Sequence, residues 1–403
     1  AAAFWLEPFG GGTPRRAPSP SSRAMPLVAA LALAAALSTA ASPAGVPGNG
    51  GGLLRGPPTS PADSGPPTSP SPDGGAYVLT KRFDMAADPT QDFDVVVVPD
   101  QYMTHSCSNY VNDGTTVFTR DDKLVLKVSG AEPGGTSLRS GRVMSKQAFK
   151  YGIFVFTAKV PKCNGIWPAL WLLPGNTTGS GAYGDWPCSG EIDVLETVDT
   201  QSVGAFNLVA GHGAATENGC GTQPVCGQCG TKSNYCTSTT MKDLEASFYE
   251  VEDVDCSVEN PSWKEHTFVL RWERAKLAVY VDPDLKYDTS GNLVDIVPKN
   301  GSPAGSDAAG GGGQHPSFKE YDYADTPTWG AVSGFMDQCY PGVAEPGAPF
   351  DKPMKLVLNI AVGGYGGAPC KWGSTSCSDP GACGGAVGSE MEVSDISVWQ
   401  QAS

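Results

Sequence analysis

The stretch Trp186–Val198, "WPCSGEIDVLETV", places three carboxylic acids, Glu191, Asp193 and Glu196, in an otherwise apolar run. Carboxyl groups crowded together in apolar surroundings cannot all ionise, so one stays protonated near neutrality while another carries charge. Cleaving a glycosidic bond with retention needs one carboxylate that attacks and one carboxylic acid that donates a proton, roughly 5–5.5 Å apart. The spacing here is uneven: an offset of two residues, then an offset of three. Strand side chains alternate faces, so Glu191 and Asp193 share one face and a regular strand would turn Glu196 to the other. One extra residue, a β-bulge around Val194–Leu195, restores Glu196 to the shared face. Bulges recur beside active sites because they re-aim a side chain. Ile192 and one or both of Val194 and Leu195 would then pack behind. Positions four apart lie ~13 Å from one another at about 3.3 Å per residue, so a bent strand and long Glu arms must close the gap. Spacing alone leaves a second reading open, in which the three acids are simply a solvated face.

Aromatic residues surround the motif. "NGIWPALWLLPG" (164–175) supplies Trp167 and Trp171, and Tyr183 and Trp186 follow. Their rings could stack on sugars or pack in a core; Trp171, inside "ALWLL", is expected in the core.

The elements that must position these residues read as strands. The chain of 403 residues holds 51 Gly and 34 Pro, and only 17% of it is charged, which favours a turn-rich β protein. Short β-rich runs recur at 117–129, 152–160, 189–198, 266–273, 276–282, 354–364 and 391–400. Polarity alternates in 123–128 and 276–282. The density of runs points to an antiparallel sandwich. "TMKDLEASF" (240–248) reads as a short helix, and 300–320, with "AGGGGQ", as an inserted loop.

The net charge of −15, with no long basic tract, argues against nucleic acid as a partner. From Met25, "MPLVAALALAAALSTAAS" has the length and flank of a secretory apolar core, too short to span a bilayer, with cleavage expected near Ala40 or Ala41. The residues before Met25 are either upstream of the native start or the basic beginning of one long leader carrying Arg15, Arg16 and Arg23. Residues 1–41 are thus read as a leader. Residues 42–76, where "GPPTSP" occurs twice, read as a Pro/Gly/Ser-rich linker. Residues 77–403 read as one domain. Secretion makes disulfides the expected state of the twelve cysteines. The single CxxC in 220–236 lacks the partner that a zinc ribbon needs. Asn176 and Asn300 fit the N-glycosylation pattern.

The segments "SGRVMSKQAFKYGIFVFTAKVPKCNGIWPALWLLP", "GEIDVLE", "LVLNIAVGG" and "MEVSDISVWQ" together resemble glycoside hydrolase family 16, and within it the laminarinase-type endo-β-1,3-glucanases. The resemblance runs from about residue 77 to residue 400, and "GEIDVLE" after "WPALWLLP" is its most specific part. It implies an all-β fold, a β-jelly-roll sandwich of two curved antiparallel sheets with a concave substrate cleft. It implies a retaining endo-hydrolase of β-1,3 or mixed β-1,3/1,4 glucan, with Glu191 as nucleophile, Glu196 as general acid/base and Asp193 tuning the pair. Trp167, Arg142, Trp186, Asn109, Tyr110 and Tyr365 are the expected substrate contacts. No cofactor is expected; the family allows a structural calcium away from the cleft, for which no ligand set is evident. A secreted monomer acting on polysaccharide is the corresponding expectation. Two alternatives remain: a non-catalytic β-glucan-binding protein on the same fold, or the same chemistry on agarose or carrageenan.

The sequence also departs from the family pattern. A His that follows the acid motif in many members is replaced here by "NLVAG" (207–211), and the usual Asn-Trp-Pro-Gly after "AVGG" by "YGGAPCKWG" (365–373). The segments 220–236 and 283–328 have no evident counterpart.

Overall fold

In the computed structural model, the described residues run from 75 to 402, less several internal stretches, of which the longest are 221–246, 300–317, 323–341 and 364–383. The leader and linker readings fall on the first 74 residues, outside this set.

The runs rich in β-branched and aromatic residues at 152–160, 266–272, 276–281, 354–362 and 391–400 lie in strands, and most of the strands assemble into two large antiparallel sheets. A seven-stranded sheet has the order Ser247–Glu250, Val203–Val209, Glu191–Glu196, Ile166–Pro174, Met354–Val362, Arg142–Phe149, Phe93–Val95. A ten-stranded sheet is built around Gly152–Pro161, which lies between Glu390–Gln401 and Ser262–Trp272. The main core lies between the sheets. Phe154, Phe156, Ala158 and Val160 of one sheet meet Ile166, Leu170, Leu172, Leu356, Leu358 and Ile360 of the other. Period-two alternation puts the intervening residues of the seven-stranded sheet, Trp167, Ala169, Trp171, Val357 and Asn359, on its outer face. The all-β sandwich and its jelly-roll class are as expected.

The structure changes several local expectations. The run 117–129 is a hairpin, Val117–Arg120 with Lys123–Lys127, because Asp121 and Asp122 both take positive φ (51° and 56°) and turn the chain. The strand Lys276–Val281 is covered on both faces. Its Leu277, Val279 and Val281 join the main core, while Ala278 and Tyr280 join a second cluster with Tyr77, Ile153, Val155, Val269, Leu293 and Trp399. Leu285 and Ile296 pack on this cluster from the hairpin formed by Asp284–Tyr287 and Leu293–Val297, so the 283–328 insert includes a cover for the outer sheet. The helix reading for 240–248 falls mostly outside the described residues, but its last two residues, Ser247 and Phe248, begin a strand that pairs with Val203–Val209. The loop read at 300–320 gives way at Phe318 to a strand, Phe318–Asp322, paired with Lys276–Val281.

A disulfide joins Cys163 to Cys256, and Cys107 is also disulfide-bonded. The zinc question at 220–236 falls on residues outside the described set except at Cys220. No helix among the described residues is long and apolar enough to cross a membrane.

Candidate active site

The bulge inferred from the uneven acid spacing is present. On one side, Asp193 pairs with Asn207 and Glu196 with Ala205, so Val194 and Leu195 together oppose Phe206. On the other, Asp193 pairs with Trp171, Leu195 with Leu170 and Glu196 with Ala169, leaving Val194 as the unpaired residue. Ile192, Val194 and Leu195 are all fully buried in the main core. Both residues of the bulge therefore pack inward, and Glu191, Asp193 and Glu196 emerge on the opposite face. Parity along the neighbouring strand agrees. Ala169 and Trp171, opposite Glu196 and Asp193, sit two apart and alternate with Leu170 and Leu172 of the core.

Each glutamate has its own indole donor. Trp186 Nε1 donates to Glu191 Oε2 at 3.0 Å, and Trp167 Nε1 donates to Glu196 Oε1 at 3.0 Å. Asp193, between them, is 2% exposed. Burial pushes the Glu191 carboxyl well above the ordinary range, and the charge of Glu196 pushes it further. The hydrogen bond from Trp186, the positive charge of Arg142 and a hydrogen bond with Asp193 pull it back. Burial also raises Glu196, against the hydrogen bond from Trp167. Two half-buried carboxyls that feel one another titrate as a pair and hold one proton between them over a range above the usual carboxyl pKa. Burial dominates at both, holding Glu191 at about 8 and Glu196 at about 7, so the pair keeps a proton well above the pH at which a free carboxyl loses it. The pair is thus set up as one carboxylate and one carboxylic acid on a single sheet face.

A row of side chains continues across the sheet. Glu196, Ala169, Asn359 and Arg142 are successive partners on four adjacent strands. Arg142 is 2% exposed, and its guanidinium lies 4.9 Å from the Trp171 ring centroid and 5.6 Å from that of Tyr110. Asn359 links the same two aromatics: its Oδ1 accepts from Trp171 Nε1 at 2.7 Å and its Nδ2 donates to the Tyr110 hydroxyl at 3.0 Å. The structure therefore brings Trp167, Trp186, Arg142 and Tyr110 together with the three acids. Asn109 adjoins Tyr110 on the short strand Ser108–Tyr110, paired with Leu138–Ser140, and its Oδ1 is buried with no hydrogen-bond partner among the described residues. Tyr365 lies outside the described residues.

Trp171 corrects the expectation that it belongs to the main core. It is partly exposed on the acid face and packs beside Leu173, Met144 and Val357. A signal was available: Trp167 and Trp171 are four apart in one strand, so they share a face, and an indole N–H needs a partner when buried. Asn359 was missed; the clue was a single amide inside "LVLNIAV". Among the described residues, no group of three or more His, Cys, Asp or Glu side chains is placed to hold a metal ion.

The paired acids lie on a sheet whose sequence matches a known catalytic domain: residues 82–282 match the profile described as "XgeA-like, catalytic GH16 domain". The domain belongs to glycoside hydrolase family 16. Among relatives of this family 16 domain, a protein named beta-1,3-glucan-binding protein from Penaeus monodon is 30% identical over 56% of this chain and 46% of its own length. A glucan endo-1,3-beta-glucosidase A1 from Niallia circulans is 26% identical over 64% of this chain and 28% of its own. The chain thus spans less than half the length of these two relatives. A glucan endo-1,3-beta-glucosidase from Cryptopygus antarcticus is 26% identical over 72% of this chain and 78% of its own. Among solved structures, the laminarinase from Rhodothermus marinus aligns over 82% of this chain and 99% of its own, with a TM-score of 0.48 and 18% identity.

Proposed function

We propose that this family 16 domain is a secreted, retaining endo-glycosidase that hydrolyses β-1,3 or mixed β-1,3/1,4 glucan by double displacement. The observation that carries the reading is the bulged acid strand. It presents two glutamates on one face, each with a separate tryptophan donor and each held above the ordinary carboxyl range by burial. In the first step Glu191 attacks the anomeric carbon, the bond to the leaving sugar's oxygen breaks, and Glu196 gives that oxygen its proton. The glycosyl group is then an ester of Glu191. In the second step Glu196 takes a proton from water, the resulting hydroxyl adds to the anomeric carbon, and Glu191 departs as a carboxylate. Two inversions retain the configuration. Asp193 acts through its hydrogen bond to Glu191, and Trp167 and Trp186 would present ring faces to sugars while their N–H groups hold the acids.

The printed names of the relatives support a β-1,3-glucan as substrate. Secretion is supported by the apolar segment after Met25, the even cysteine count and the Cys163–Cys256 bridge. A second reading, a glucan-binding protein without turnover, draws on the Penaeus monodon relative; the presence of all three acids favours catalysis. The test is a polysaccharide panel with product analysis. The intact protein should release short oligosaccharides from laminarin, and Glu191→Gln should nearly abolish release. Tight binding without products from any β-glucan would establish the second reading instead. Cleavage of agarose or carrageenan alone would move the chemistry to another polymer.

A further inference from the structure

We propose that Tyr183 and Asp351 form a buried anchor that positions Trp186 against Glu191, and so help set the pH at which Glu191 becomes an effective nucleophile. The proposal rests on the assignment of Glu191 as nucleophile. Trp186 lies in the connection between the Ile166–Pro174 strand and the acid strand, outside any strand or helix. Gly175, Gly179, Gly184 and Gly190 in this connection all have positive φ, a conformation that favours glycine, and turn hydrogen bonds join Gly179 to Asn176 and Gly181 to Gly184. Something must fix Trp186 if its N–H is to meet Glu191 Oε2 at 3.0 Å.

Tyr183 provides the fixed point. Its side chain is fully buried, and its hydroxyl donates to the Asp351 carboxylate, whose two oxygens lie 2.8 and 2.6 Å away. Asp351 is also fully buried; it accepts from the Glu345 backbone N–H at 2.8 Å and pairs with Lys352 Nζ at 3.0 Å. A buried charge without such partners would cost several kcal/mol, so this cluster either holds together or opens as a unit. Burial and the Asp351 hydrogen bond push the Tyr183 hydroxyl above its ordinary range, so it stays a donor throughout the working pH range.

The anchor reaches Trp186 through short contacts. The Tyr183 backbone N–H donates to Ser189 Oγ at 3.1 Å, and that hydroxyl donates to Gly184 O at 2.7 Å. These bonds tie the two ends of the turn that carries Trp186. At its exit, Gly190 has φ +84°, and a Cβ there would stand 2.9 Å from Phe350 Cε1 and 3.1 Å from Pro349 Cγ. Both ends of the turn therefore rest on the segment that carries Asp351. Gly179 leaves room for the base of the Trp186 side chain: a Cβ there would meet Leu173 Cδ1 and Trp186 Cβ, each at 3.1 Å. None of these groups touches the reacting atoms. Tyr183 and Asp351 act as positioning residues.

A cluster that only stabilises the fold would lower the melting temperature and leave the pH profile alone, so the profile is the test. The intact protein is compared with Trp186→Phe, Tyr183→Phe, their double mutant and Glu191→Gln, measuring kcat/KM on laminarin against pH together with thermal melting. Losing the Trp186 donor should move the acidic limb up by about one pH unit, because a hydrogen bond to a charged group favours the anion. Tyr183→Phe should move the limb in the same direction by less, and the double mutant should show the Trp186→Phe limb with nothing added. If Tyr183→Phe does not fold, Asp351→Asn carries an expectation of the same direction and smaller size, since a neutral amide accepts more weakly from the hydroxyl and loses the charge that pairs with Lys352. A wild-type limb in the anchor variant, or shifts that simply add in the double mutant, overturns the anchor while Glu191→Gln is inactive. An active Glu191→Gln overturns the nucleophile assignment, and the anchor with it.

Discussion

Trp167 donates its indole N–H to Glu196 at 3.0 Å, and the two residues meet because Ala169, two positions after Trp167, pairs in register with Glu196. This bond favours the ionised form of the group that must hold a proton in the first step. Trp167→Phe should therefore raise the Glu196 pKa and move the basic limb of kcat/KM to higher pH, by about one unit. A pH profile on soluble laminarin checks it.

Both glutamates are held above the ordinary carboxyl range, which has a consequence for stability. A carboxyl whose folded pKa is raised binds more protons in the folded state than in the unfolded one. Stability is then fully present below the unfolded pKa of about 4.3 and is lost as pH rises through the folded pKa. Glu191→Gln and Glu196→Gln should each melt a few °C higher than wild type at pH 8, a gain on the order of 1–2 kcal/mol. The gain should vanish near pH 4. Calorimetry at the two pH values reads this directly.

Asn359 satisfies both Trp171 Nε1 and the Tyr110 hydroxyl from a position that is 7% exposed. Asn359→Leu leaves two polar groups without that partner and loosens the aromatic pair that flanks Arg142. It should cost about 2–4 kcal/mol in urea unfolding and raise KM for glucan.

The Cys163–Cys256 bridge spans a sequence separation of 93 residues. Replacing both cysteines with serine should lower stability by about 2–4 kcal/mol, seen as a lower urea midpoint.

The acid strand was legible in its residues because a bulge leaves a trace: an offset of three where a strand would use two. The apolar runs likewise announced their strands, since each side of the core repeats every second residue. Trp171 misled because its immediate neighbours are apolar, while its partners Arg142 and Asn359 lie on other strands. The unbroken apolar run Leu277–Val281 in "KLAVYVD" is the pattern of a strand covered on both faces, but the hairpin from the insert that supplies the second cover leaves no trace in that run. Tyr183 and Asp351 are 168 residues apart, and neither residue type by itself signals a buried pair. Local periodicity records strands and bulges; pairings across the fold depend on topology that it does not carry.

The proposed chemistry stands on Glu191 and Glu196 acting as a retaining pair. Proton NMR of laminarin digestion, recorded within minutes of adding the enzyme, reads the anomeric configuration of newly formed reducing ends before mutarotation. Retention gives the β-anomer first, with the α-anomer growing in afterwards. Initial release of the α-anomer would contradict it.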